Sequence, residues 1–186
     1  MSFVQSFDDF VTAYAEASND ENLGNTTEYA EVLPSPCFID NSPIEGQMCK
    51  WRSILRDTPG SMKNLEKALE ISIHPDVHEL FGRYYSLDLN ASAQRGHLSI
   101  LQALNEEDFE RFQKNLIAHV LMKRRLKLTD TLFFALTDQE DFLLSVIPQT
   151  GQVVLEIVGR EHHEIIADNL KSFFENISPD PQRVYL

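Results

Sequence analysis

Between Asn105 and Arg125 the apolar residues Phe109, Phe112, Leu116, Ile117, Val120 and Leu121 recur at three- and four-residue spacing. That is the period of one helix face, so the stretch predicts a long amphipathic helix. Asn105 is its expected N-cap, because a short side-chain oxygen there accepts from a free amide of the first turn. Glu106, Glu107 and Asp108 crowd the first turn, and Lys123, Arg124 and Arg125 close the last. Each group sits where the helix dipole favours its sign. The following run TLFFAL, residues 131–136, is short, apolar, aromatic-rich and free of Gly and Pro, as expected of a central strand.

The rest of the chain packs around this unit. Phe3, Phe7, Phe10, Val11 and Tyr14 stripe an opening helix, with Asp8, Asp9 and Glu16 elsewhere on its surface. A polar loop follows at 18–27. LPSPC, residues 33–37, is extended, since Pro34 and Pro36 lack amide donors and restrict the residues before them; it leads into a short strand at Phe38 and Ile39. MCKWRSIL, residues 48–55, has strand content. Ser61 is placed to cap a helix that turns Leu65, Ala68 and Leu69 inward, and Pro75 ends it and opens another, residues 75–85. SLDLNA and HLSILQAL, separated by SAQRG, read as antiparallel neighbours, and PQTG, residues 148–151, as the turn of a hairpin. Ile165, Ile166, Leu170, Phe173, Phe174 and Ile177 fit a closing helix, with residues 178–186 as its frayed tail. This order predicts one α+β domain over residues 1–186, with a mixed, mostly antiparallel sheet covered by helices on one side.

Charge changes the picture. The formal net charge is −13, unevenly spread: residues 1–49 carry nine acids and no Lys or Arg, residues 50–129 a net of +3, and residues 130–186 a net of −7. Such a chain repels nucleic-acid phosphates and anionic headgroups, and attracts a basic partner. No apolar run approaches the ~20 residues that span a bilayer, and the N-terminus reads as lacking a signal peptide. Cys37 and Cys49 read as reduced thiols of a cytosolic protein.

The candidate chemistry is sparse. His74 and His78 stand at ligand spacing, but Pro75 puts His74 ahead of the helix, so the rings need not converge. His162 and His163 are adjacent and diverge. His119 lies beside the apolar stripe and reads as a packed helix residue. There is no phosphate-binding glycine loop, nucleophile elbow or zinc-protease motif. No catalytic residue, metal site or cofactor is therefore expected. The basic run KRRLK, residues 123–127, reads as dipole complement and local salt bridges. Trp51, the one Trp, is either a core residue or a partly exposed anchor in a binding groove.

The strings EEDFERFQKNLIAH, RLKL and TLFFALT resemble the Syd family, bacterial proteins that interact with the SecY translocation channel. The resemblance extends back through LPSPC, Trp51 and EKALEISIHPDVH, and forward through the hairpin near Gly151. It implies a soluble, non-enzymatic cytoplasmic protein, peripheral at the bacterial inner membrane through SecY. It further implies docking on the basic cytoplasmic loops of SecY, with a regulatory or quality-control role. Neither nucleic acid nor direct lipid insertion is expected. Glu28, Glu31, Asp40 and Glu45 flank the LPSPC turn. Together with Glu66, Glu70 and the start Glu106, Glu107 and Asp108, they are the expected acidic partner-binding face. Two alternatives stay open: a Knr4-like immunity protein that neutralises a basic toxin, and a hydrolase using His78 or His119 with nearby acids.

Overall fold

Helix α1, Phe3–Ala17, buries the stripe Phe3, Phe7, Phe10, Val11 and Tyr14, and Ser2 caps it by accepting from the Gln5 amide. The computed structural model describes residues 2–18, 25–40, 42–139 and 141–181. Most of the polar loop expected at 18–27 and the end of the tail, 182–186, lie outside these. Next come strands β1, Thr26–Glu28, and β2, Met48–Lys50, paired as a separate two-stranded ribbon. The strand expected at Phe38 and Ile39 reduces to a single bridge between Phe38 and Trp51. MCKWRSIL divides into β2 and the short β3, Ile54–Leu55.

Helix α2, Lys63–Leu69, buries Leu65 and Leu69. Ala68 faces out, and the residue ahead of the helix is Met62, whose side chain makes no cap. Helix α3, Pro75–Gly82, opens on Pro75 as expected but stops early, because Tyr84–Tyr85 forms β4 against β3. At α3's end the backbones close up: a Cβ on Gly82 would stand 2.3 Å from the Gly60 carbonyl oxygen.

Among the described residues the main sheet has seven strands. β5, Leu89–Ala93, and β6, Gly96–Ile100, form one hairpin. Helix α4, Glu106–Arg125, leads into β7, Leu132–Thr137, and the hairpin β8, Phe142–Val146, with β9, Val153–Ile157. Then follow β10, Glu164–Ala167, helix α5, Leu170–Phe174, and β11, Ile177–Pro179. The order β10-β9-β8-β7-β6-β5-β11 puts β7 at the centre, as its composition predicts. The fold is α+β, and all of its described strand pairings are antiparallel, so the sheet is not mixed.

The helical cover is also more extensive than the element order alone suggests. Helix α4 lies over the sheet face that carries Phe133 and Glu156, with Phe112 edge-on to Phe133. On the other side, Phe173 of α5 meets Phe134, and α1 stacks behind it through Phe3, Phe7 and Phe10 around Phe174. Each fully buried Phe or Leu here stabilises the fold by about 1.5–3 kcal/mol over its exposed state.

The expected closing helix from Ile165 to Ile177 is corrected to strand, one short helix, and strand. Asn169 breaks the pattern: its backbone is extended and its side chain accepts from the Ser172 amide, so the helix begins only at Leu170. Ile165 pairs with Val154 at the β9 edge instead, Ile166 falls at a register shift in that pairing, and Ile177 pairs with Ala93.

Candidate functional site

The proline-rich turn and the start of α4 are built as one piece. Asn105 caps α4 by accepting from the Asp108 amide at 2.8 Å, and its own side-chain amide donates to the Pro34 carbonyl at 2.6 Å. The Ser35 hydroxyl donates to the Leu104 carbonyl at 2.6 Å and accepts from the Cys37 amide at 3.0 Å. Cys37 is thereby buried, and burial pushes its thiol up from the ordinary value. Two hydrogen bonds thus tie the LPSPC turn to the acidic start of α4.

The three acids at that helix start differ in how far they are neutralised. Glu106 accepts from Arg56 Nη2 at 2.5 Å and from the Tyr85 hydroxyl at 2.6 Å. The Arg56 guanidinium is buried, stacked 4.2 Å from the centre of the Tyr85 ring and 4.8 Å from that of Phe109. Asp108 accepts from the Leu104 amide and pairs with Arg111 at 2.5 Å. Glu107 is exposed, with no ion pair among the described residues.

The ribbon β1–β2 carries the next group. Glu28 pairs across the ribbon with Met48, and the Glu31 amide donates to Glu45 Oε2, which holds the two turns side by side. Asp40 accepts from the Lys50 amide at 2.9 Å. Gly46 sits at φ 73, a conformation that glycine adopts without strain. Glu28, Glu31, Asp40 and Glu45 are all exposed, and no ion pair among the described residues involves them. Glu31 is three residues from Pro34, whose carbonyl accepts from the Asn105 cap of α4.

Glu66 and Glu70 do not join them. The Glu66 carboxylate accepts from the Ile73 amide at 2.9 Å and faces His78 at 3.5 Å, closing the connection from α2 to α3. Glu70, left-handed at φ 56, lies within electrostatic reach of Arg124 at the opposite end of α4. Eighteen residues of helix separate Arg124 from Glu106, about 27 Å. Trp51 is 7% exposed and packs against Tyr14, so it belongs to the core and offers no exposed anchor.

The histidines have separate partners. His74 caps α3 by accepting from the Asp76 amide, and its ring lies against Gly151 of the β8–β9 turn. His119 is buried 3.2 Å from Glu156, which also accepts from Lys123, Thr131 and Ser145. Ser145, His119 and Glu156 are the residue types of a hydrolytic triad, arranged differently. The serine hydroxyl donates to the acid, so the acid stands where the base would be needed, and Ser145 is wholly buried. Lys123 is likewise buried, and its ion pair is with Glu156, so it is not one of the local salt bridges expected of residues 123–127. Its partner Glu156 lies 33 residues away on β9, where no local pattern announces it.

A cavity of about 560 Å³ opens between α5 and the sheet, floored by Leu98, Leu144, Leu155 and Phe173 and edged by Asp138 and Asp168. Misreading β10 as helix hides it from the sequence. Among the described residues no group of three or more His, Cys, Asp or Glu is placed to hold a metal ion, and no helix is long and apolar enough to cross a membrane.

Residues 4–179 match the family model described as Syd protein (SUKH-2). Protein Syd of Pseudoalteromonas atlantica is 45% identical over 176 residues, covering 94% of this chain and 95% of that protein. Protein Syd of Alteromonas mediterranea is 43% identical over 172 residues, covering 92% and 93%. Protein Syd of Colwellia psychrerythraea is 36% identical over 186 aligned positions, covering 95% and 92%.

Proposed function

We propose, since the chain belongs to the Syd family, that it is a regulatory or quality-control protein of the SecY channel. It binds the channel at its cytoplasmic face, through acids beside the LPSPC turn. The observation that carries this reading is the set Glu28, Glu31, Asp40, Glu45 and Glu107, exposed and without an ion pair among the described residues. These acids lie in a chain whose first 49 residues contain no Lys or Arg. Cytoplasmic loops of membrane proteins carry an excess of Lys and Arg. Complementary potentials of this kind raise the association rate and disfavour wrong partners, and salt screens them over about 10 Å at 0.1 M. Binding is then peripheral and channel-mediated, because a chain of net charge −13 is repelled by bare anionic lipid. On this reading the protein works by docking, without a cofactor or a catalysed reaction.

Flotation tests it. The protein should rise with vesicles containing SecY and stay behind with protein-free anionic vesicles. Equal flotation with both, or with neither, contradicts the reading.

A further inference from the structure

The ribbon that carries the acids also exposes an apolar surface. Val32, Met48 and Ile44 are 82%, 65% and 58% exposed, and Ile39 and Leu33 lie nearby in sequence, also exposed. Single exposed apolar residues need no explanation, but a cluster on one arm does. The backbone gathers these residues at one end of the ribbon. Met48 is the strand partner of Glu28, the Gln47 amide closes a turn on the Ile44 carbonyl, and the Glu31–Glu45 bond sets that turn beside Val32.

The arm is also stiff. Its strands bond to each other and not to the seven-stranded sheet, yet it has internal packing of its own, with the rings of Tyr29 and Phe38 edge-to-face at 5.2 Å. Phe38 bridges to the buried Trp51, and Pro34 is bonded to Asn105 of the α4 start. A surface held this way loses little freedom on binding, which favours affinity.

Charge selects the occupant. Glu28, Glu31 and Glu45 are exposed on the same ribbon, so anionic headgroups are repelled. A second copy brings the same acids to the contact and a net charge of −13. We infer that the ribbon tip is a docking surface for a cationic polypeptide segment with apolar anchor residues. Val32, Ile44 and Met48 take the anchors, and Glu28, Glu31 and Glu45 face the flanking cations. This deepens the function proposed above, on which the identity of the partner protein rests. It adds a division of labour: the acids set how fast the partner arrives, and the apolar tip sets how long it stays.

The test uses the full chain and two fluorescent peptides of equal length and charge, one of lysine and leucine, the other of lysine and serine. The comparison protein is the Val32→Ser, Ile44→Ser, Met48→Ser variant, with Val32→Ser alone as a milder second variant. The unaltered chain should release the leucine peptide about tenfold more slowly than the serine peptide, the gain from one or two half-buried anchors. The triple variant should abolish that difference, Val32→Ser should reduce it, and salt should slow association of both peptides with every protein. Equal release from the unaltered chain, or a difference that survives in the triple variant, overturns the inference. So does a dimer, or binding to protein-free anionic vesicles, that the variant abolishes. If the peptides discriminate as expected while the chain fails to float with SecY vesicles, the ribbon's role stands and the choice of SecY falls.

Discussion

Lys123 and Glu156 meet beneath α4 as an ion pair enclosed on all sides, each side chain 1% exposed. Taking both charges out of water costs several kcal/mol per ion, and their attraction offsets this only when the remaining hydrogen bonds are made. Here they are made. Thr131 Oγ1 accepts from Lys123 and donates to Glu156, and Ser145 and His119 complete the carboxylate's shell. The pair joins the last turn of α4 to β9, so it fixes how the long helix lies across the sheet.

Removing one partner leaves the other charge buried alone. Lys123→Met should cost about 3–5 kcal/mol of unfolding free energy. The double variant Lys123→Met, Glu156→Leu should recover a large part of that loss, because neither charge then remains. Urea unfolding with an unchanged denaturant slope is the check. A double variant as unstable as the single one would mean that the packing of these side chains, and not their charge, holds the helix.

Acid should weaken the same contact. Burial alone pushes the Glu156 carboxyl up, but hydrogen bonds from His119, Lys123 and Ser145 outweigh it and hold the group down at about 2. A group depressed in the folded state contributes stability above its unfolded value, lost as pH falls toward the folded value. For Glu156 the loss runs from about 4.5 down to about 2. Asp8 acts in the same sense, held low by its hydrogen bonds from Arg83. Stability measured by urea unfolding from about pH 6 downward should fall across that window, and Glu156→Gln should flatten part of the fall. An identical pH slope in Glu156→Gln would contradict the assignment.

Local signals explain what could be read from the sequence. The cap at Asn105, the charges at both ends of α4 and the apolar run of β7 act within a few residues of themselves, and each appears where the pattern puts it. Leu121 departs from the stripe, 47% exposed, because the buried face turns toward His119 and Lys123. Those two polar residues are recognisable as core only once β9 brings Glu156 beneath them. Ile165 to Ile177 misleads for the opposite reason. Its spacing suits a helix, and one Asn cap, which takes effect through its extended backbone, redirects both ends into the sheet. The candidate acids divide in the same way. Glu28, Glu31 and Glu45 are close in sequence and lie on one ribbon, whereas Glu66 and Glu70 are engaged by Ile73, His78 and Arg124.

On the proposed function, exposed acids beside the LPSPC turn steer a basic partner. Two of the acids there are structural: Asp40 holds the Lys50 amide and Glu45 the Glu31 amide, so altering them would disturb the ribbon. The variant Glu28→Lys, Glu31→Lys, Glu107→Lys spares both, and should melt like the parent because exposed substitutions typically cost within about ±0.5 kcal/mol each. The measurement is the association rate of parent and variant with SecY held in lipid discs, at low and at high salt. The variant should associate at least about tenfold more slowly at low salt, and the two rates should converge at high salt. Equal association rates at low salt would contradict the claim.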